Sequence, residues 1–167
     1  NGAGKTTTLK ILMDLLRPTS GRAVLFDRPA GGPEARARVG FVPEQPYYYD
    51  HLTADELVQY FAGLSGVPVH ERAARAAAVL DRTGVREEDR RRPLRQFSKG
   101  MLQRVGLAQA LVHDPELVIL DEPMSGLDPI GRRDVRQSIL ALRDEGKTVL
   151  FSSHILSDAE QLCSRVA

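Results

Sequence analysis

The sequence predicts an α/β fold with a mainly parallel sheet and an inserted all-helical segment. Three observations carry this. Strand and helix patterns alternate along both ends of the chain, the arrangement of a parallel sheet with helical crossovers. Residues 116–120 and 148–152 are short segments built on the apolar runs Leu117–Leu120 and Val149–Phe151, as expected of strands buried on both faces. Between them and the first strand patterns, residues 46–112 show helical patterning only. The expected division is a core of about residues 1–45 and 113–167, with a helical subdomain of about residues 46–112.

Taken in order, residues 6–16 read as a helix with Leu9, Leu12, Leu15 and Leu16 on one face. Arg17-Pro18-Thr19-Ser20-Gly21 breaks it. Residues 22–26 and 39–42 are strand candidates, the second ending at Pro43. Thr53, with Glu56 three positions on, resembles a capping box. It opens a helical stretch to about residue 83, which Gly63, Gly66 and Pro68 divide in two. Residues 98–113 form the next helix and residues 116–120 the first buried strand. Asp128 followed by Pro129 is an N-cap with proline at the first helical position, and Gly146 closes that helix. Residues 148–152 are the second buried strand, and residues 155–163 the last helix.

Composition narrows the function. The 167 residues suffice for one domain with a real core. A formal net charge of +1 provides no bulk attraction to nucleic acid or acidic lipid. The run Arg90-Arg91-Arg92 follows Glu87, Glu88 and Asp89, so it reads as a solvated, self-neutralising loop. Cys163 is the only cysteine, which excludes internal disulfides and cysteine-based zinc clusters and suits a reducing compartment. No apolar run approaches the ~20 residues of a membrane helix.

The opening residues Asn1-Gly2-Ala3-Gly4-Lys5-Thr6-Thr7 match the end of G-x-x-x-x-G-K-[ST]. The pattern's first glycine and the strand before it are expected upstream of Asn1. In such a loop, backbone N–H groups converge on one anion at the positive end of the following helix. Lys5 reaches the β- and γ-phosphates of a nucleoside triphosphate, and Thr6 offers a hydroxyl to Mg²⁺. The run Leu117-Val118-Ile119-Leu120-Asp121-Glu122 places two carboxylates at the C-terminal end of a buried strand, where open α/β sheets bind ligands. Asp121 suits the metal, and Glu122 suits polarising the attacking water. Phosphoryl transfer needs mostly positioning and charge stabilisation.

Phe97-Ser98-Lys99-Gly100-Met101 resembles the signature motif of ABC (ATP-binding cassette) ATPases, whose common form is L-S-G-G-Q. Ser125-Gly126-Leu127-Asp128 resembles their D-loop, and Ser152-Ser153-His154 their switch histidine. The resemblance covers essentially the whole chain. Lys99 stands where the common form has glycine and Met101 where it has glutamine; the form S-K-G-M resembles that of the ABC-2 exporter branch, which includes drug, sodium and polysaccharide exporters.

The resemblance implies a P-loop NTPase core and an ATPase subunit that powers a membrane exporter. It implies ATP and Mg²⁺ as cofactors, with Lys5, Glu122 and His154 catalytic and Thr6 and Asp121 at the metal. Ser98, Lys99, Gly100, Met101 and Asp128 would then close over ATP held by a second copy, in a head-to-tail dimer. Residues Asn1 to Thr7 hold the phosphates. The family's Q-loop glutamine falls at Glu44, also a metal contact, or by a slip of one at Gln45. Tyr47, Tyr48 and Tyr49 either pack in the helical subdomain or face a transmembrane subunit, since aromatics are favoured in interfaces. The expected location is the cytoplasmic face of the membrane, with no direct nucleic-acid contact.

A soluble ABC ATPase acting on ribosomes or nucleic acid is the competing reading. The long coiled coils or cysteine-bearing insertions of the DNA-repair relatives are missing between Gly4 and Ser98. A non-hydrolysing scaffold is the third reading, and Glu122 argues against it.

Overall fold

The computed structural model describes residues 4–166. Three strands, β3 (Val39–Val42), β4 (Leu117–Leu120) and β5 (Thr148–Phe151), form a parallel sheet in the order β3-β4-β5. Leu120 pairs with Val42 on one side and Phe151 on the other, so the three strands end level.

Side chains alternate between faces along a strand, and β4 uses both. Leu117 and Ile119 pack with Val39 and with Leu9 of α1 (Lys5–Leu12). Val118 and Leu120 face the larger core, shared with α3 (Ala54–Leu64), α4 (Val69–Arg82), α6 (Lys99–Leu111) and α7 (Pro129–Asp144). That core is continuous from the sheet through the helical segment. Gly40 marks the closest approach: a Cβ there would overlap the Ala110 carbonyl oxygen of α6.

The caps predicted at Thr53 and Asp128 both form. Thr53 Oγ1 accepts from the Glu56 N–H at 3.2 Å while the Glu56 carboxylate accepts from the Thr53 N–H at 2.9 Å. The Thr53 N–H and the Thr53 hydroxyl, both donating to that carboxylate, hold it below its usual range. Ser98 caps α6, and Asp128 Oδ1 accepts from the Gly131 N–H at 2.9 Å to cap α7. Short helices α2 (Pro33–Arg36) and α5 (Glu87–Arg90), a 3₁₀ turn at Leu94–Gln96 and α8 (Leu156–Leu162) complete the helices.

Four expectations need correction. The first helix stops at Leu12, not residue 16. Asp14 takes the left-handed conformation (φ 57°), and the Leu15 and Asp14 N–H groups bond back to the carbonyls of Lys10 and Ile11. This is a Schellman end with aspartate in glycine's usual place. Leu9 and Leu12 therefore pack, while Leu15 and Leu16 are 60% and 45% exposed. Residues 22–26 hold only β1 (Val24–Leu25), which forms an antiparallel hairpin with β2 (Arg28–Pro29) outside the main sheet. Its turn residues Phe26 and Asp27 both have positive φ, the geometry of a two-residue hairpin turn.

The third correction concerns β5, which is not buried on both faces. It lies at an edge among the described strands, and Leu150 is 40% exposed. The fourth is the arginine run. It is self-neutralised as expected, but Arg90 is buried and pairs with Asp81 while its guanidinium donates to the Val85 carbonyl. Asp89, also buried, accepts from Arg92 at 2.6 Å.

Gly40→Ala is expected to destabilise the domain by about 1–3 kcal/mol, the usual cost of forcing an extra methyl into a packed site. The overlap is with helix backbone, which cannot rotate away. Urea denaturation checks this; an unchanged midpoint would mean that α6 shifts freely on the sheet.

Candidate nucleotide-binding site

The level strand ends create the site. After β4 the chain continues as Asp121-Glu122, and after β5 as Ser152-Ser153-His154, all on one edge of the sheet. The N-terminus of α1 comes to the same edge. Gly4, in the left-handed region at φ 80°, turns the backbone into the helix. Lys5 and Thr6 then sit in its first turn.

Five expected residues converge here. Thr6 Oγ1 donates to Asp121 Oδ1 at 3.2 Å, across 115 positions of sequence. The Lys5 ammonium lies 3.7 Å from Glu122 Oε1. His154 Nδ1 donates to Glu122 Oε2 at 2.7 Å, which fixes the proton on that ring nitrogen. One carboxylate is thus shared between a lysine and a histidine from two other elements. Asp121 is buried, and the Glu122 side chain is mostly shielded.

Glu122 has φ 47°, a left-handed conformation that costs a non-glycine residue of order 1–3 kcal/mol. The turn is held at both ends. The Glu122 N–H donates to Ser152 Oγ at 2.8 Å, and the Ser125 N–H donates to the Glu122 carbonyl at 3.0 Å. Ser152 belongs to the Ser152-Ser153-His154 run, but that motif points to the histidine and assigns the serine no role. Its position at the end of an apolar strand, level with Asp121, is visible only once β4 and β5 are paired.

The remaining expected residues fall elsewhere. Ser98 Oγ accepts from the Met101 N–H at 3.3 Å at the start of α6. Ser98, Lys99, Gly100, Met101 and Asp128 line one open cavity of about 420 Å³. None of Lys5, Thr6, Asp121 and Glu122 lines it. The Lys99 ammonium packs directly over Gly126 of the D-loop segment, so the two segments meet within one chain. Glu44 follows β3 on the same edge as Asp121 and is exposed, with no ion pair among the described residues; Gln45 is exposed beside it. Thr7 lies exposed on α1. Asn1, Gly2 and Ala3 lie outside the described residues.

The three tyrosines divide. Tyr47 is fully exposed, and Tyr49 is half-exposed and stacks edge-on with Tyr60, 6.2 Å between ring centroids. Tyr48 turns inward toward Gly106 of α6. Its hydroxyl has no hydrogen-bond partner among the described residues, and burial pushes its pKa well above the usual range.

A family model described as ABC transporter matches residues 1–125. An ABC transporter ATP-binding protein of Synechocystis sp. is 52% identical over 168 residues, covering 100% of this chain and 48% of the relative. The bacitracin transport ATP-binding protein BcrA of Bacillus licheniformis is 43% identical, over 99% of this chain and 54% of that protein. The ABC transporter ATP-binding protein NatA of Bacillus subtilis is 41% identical, over 99% and 68%. The chain thus spans about half the length of the first two of these relatives. A solved ATP-binding subunit of an ABC transporter superposes with a TM-score of 0.82 at 32% identity, covering 98% of this chain and 68% of that one. A dimeric ATP-binding cassette in a post-hydrolysis state, bound to ADP and Pi, superposes with a TM-score of 0.84 at 28% identity, covering 95% and 73%.

The buried Tyr48 hydroxyl generates a prediction. Removing an unpartnered buried hydroxyl costs nothing and relieves its desolvation, so Tyr48→Phe should equal or exceed the wild type in thermal stability. Tyr48→Ala should lose about 3–5 kcal/mol through the cavity it leaves. A Tyr48→Phe variant that melts several degrees lower would show that the hydroxyl is bonded.

Proposed function

This chain belongs to the ABC transporter family, and on that premise we propose that it binds and hydrolyses ATP to power a membrane exporter. One observation supports the reading above the rest. Lys5, Thr6, Asp121, Glu122 and His154, from three separate elements, meet at one edge of a parallel sheet.

In the proposed mechanism the Lys5 ammonium turns from the Glu122 carboxylate to the β- and γ-phosphates, which carry more negative charge. The His154 imidazole contacts the γ-phosphate. Glu122 then orients and polarises the attacking water. Thr6 and Asp121 offer hard oxygen donors already in contact, a donor set that fits Mg²⁺. The metal would supply charge neutralisation on the phosphate oxygens. Glu44 is proposed as a further metal contact, on the strength of its place just beyond β3. Asn1, Gly2, Ala3, Gly4 and Thr7 are assigned to the phosphate loop from the motif.

Ser98, Lys99, Gly100, Met101 and Asp128 are proposed to close on ATP bound by a second copy. Their separation from the Lys5 site within one chain supports a head-to-tail dimer. The form S-K-G-M supports the exporter branch. Tyr47 and Tyr49 are proposed to contact a transmembrane subunit, which would hold the protein at the cytoplasmic face of the membrane. No helix among the described residues is long and apolar enough to cross a membrane. Residues 46–112 are proposed to act as the helical subdomain that carries the signature.

Glu122→Gln is expected to slow ATP hydrolysis by about 10²–10⁴-fold, the usual size of a general-base contribution, while ATP binding persists. Sizing chromatography with ATP should then trap the dimer. A monomer that hydrolyses at the wild-type rate would overturn both the catalytic role and the dimer.

Replacing Tyr47 and Tyr49 together by alanine should leave ATP binding intact and weaken association with the membrane subunit, since buried interfacial tyrosines are often worth ~2 kcal/mol or more. Co-purification of the two subunits reads this out. Unchanged assembly would remove the tyrosines from the interface.

A further inference from the structure

We propose that Ser152 is a positioning residue that sets the geometry of both acids of the nucleotide site. Its hydroxyl is buried at the end of β5 and makes two bonds of opposite sense. It donates to Asp121 Oδ1 at 2.7 Å and accepts from the Glu122 N–H at 2.8 Å. A hydroxyl has one proton and two lone pairs, so Ser152 serves both neighbours at once. The first bond completes a chain: Asp121 Oδ1 accepts one hydrogen bond from the Ser152 hydroxyl and one from the Thr6 hydroxyl, the latter at 3.2 Å. Two donors fix the rotation of a buried carboxylate that would otherwise have Thr6 alone. The second bond anchors the left-handed turn at Glu122, where φ is 47°. That turn aims the Glu122 carboxylate toward Lys5 and His154. The two acids are consecutive, so a single hydroxyl from the neighbouring strand controls the side chain of one and the backbone of the other.

The chemistry distinguishes this role from simple packing. Alanine at position 152 keeps the Cβ and the strand pairing of β5, because the Ser152 N–H bond to the Leu120 carbonyl at 3.0 Å does not involve the side chain. It removes only the hydroxyl. A buried carboxylate then loses a donor, and the Glu122 N–H is left without an acceptor. The effect should therefore appear first in metal binding and in turnover, and only weakly in nucleotide binding without metal.

The inference rests on the proposed nucleotide site, and its test uses the full-length protein with ADP and Mn²⁺. Mn²⁺ stands in for Mg²⁺ because its binding is read directly by electron paramagnetic resonance, independently of hydrolysis. Ser152→Ala is expected to bind ADP without metal as the wild type does. It should bind Mn²⁺ in the ADP complex about tenfold more weakly, the size of one charge-assisted hydrogen bond. It should also lower kcat for ATP about tenfold with KM changed less than twofold. Ser152→Thr, which keeps the hydroxyl, should recover both. If Ser152→Ala does not fold, Ser152→Cys takes its place, since a thiol fills the site but donates weakly.

A Ser152→Ala protein with wild-type Mn²⁺ affinity and kcat would overturn the positioning role and leave the nucleotide site standing. So would a variant whose metal-free ADP affinity and melting temperature fall together without rescue by threonine. A full-length wild-type protein that binds neither ADP nor Mn²⁺ would overturn the site and the inference with it.

Discussion

The pairing of β4 between β3 and β5 is the constraint on which the site depends. Leu120 stands opposite both Val42 and Phe151, so three chain segments separated by long helical insertions leave the sheet at one level. A slip of one residue would reverse the faces of β4. Leu117 and Ile119 would leave α1 for the helical core, and Val118 and Leu120 would do the opposite. It would also move Asp121 away from Thr6. The apolar run of β4 tolerates either face chemically. Its register is held instead by neighbours of different size: α1 and the hairpin on one face, and α6 close enough to require Gly40 on the other.

At the edge so formed, charge is concentrated and largely satisfied internally. Glu122 is held by the Lys5 ammonium and the His154 ring together. Asp121 is held by two hydroxyls. The hydrogen bonds that fix the acids come from β5 and α1, elements with rigid packing behind them. Preorganised donors and acceptors of this kind are what electrostatic catalysis requires.

The second cluster is organised differently. Ser98 and Asp128 each cap a long helix, and Lys99 bridges the two caps by packing over Gly126. Arg104 of α6 pairs with Asp134 of α7 and donates to the Gly84 carbonyl at 2.9 Å, tying the same two helices further along. The segments around Ser98 and Asp128 therefore form one surface unit. A change at Lys99 would be felt at Gly126 without passing through Lys5 or Glu122.

The sequence by itself determined the fold class, the caps at Thr53 and Asp128, and the residue types that meet at the sheet edge. Those features are local: a cap needs a side chain within three residues, a buried strand needs an apolar run, and Lys5-Thr6 and Asp121-Glu122 are each contiguous in sequence. The capping box at Thr53 and the cap at Asp128 form as their sequences predict. Other features were decided by tertiary structure. The leucines after Leu12 fit a helix by spacing, but Asp14 ends it in a left-handed turn that local pattern does not reveal. Residues 148–152 are apolar enough for a central strand, yet exposure depends on what lies beside them. Arg90 reads as solvent-facing in a charge run, but a carbonyl and Asp81 meet its guanidinium inside the helical segment. Tyr48 differs from Tyr47 and Tyr49 only in the direction the loop gives it. Ser152 is the clearest case. Its hydroxyl matters because strand pairing sets it against residues thirty positions away, and a long-range hydrogen bond leaves no periodicity in the chain that makes it.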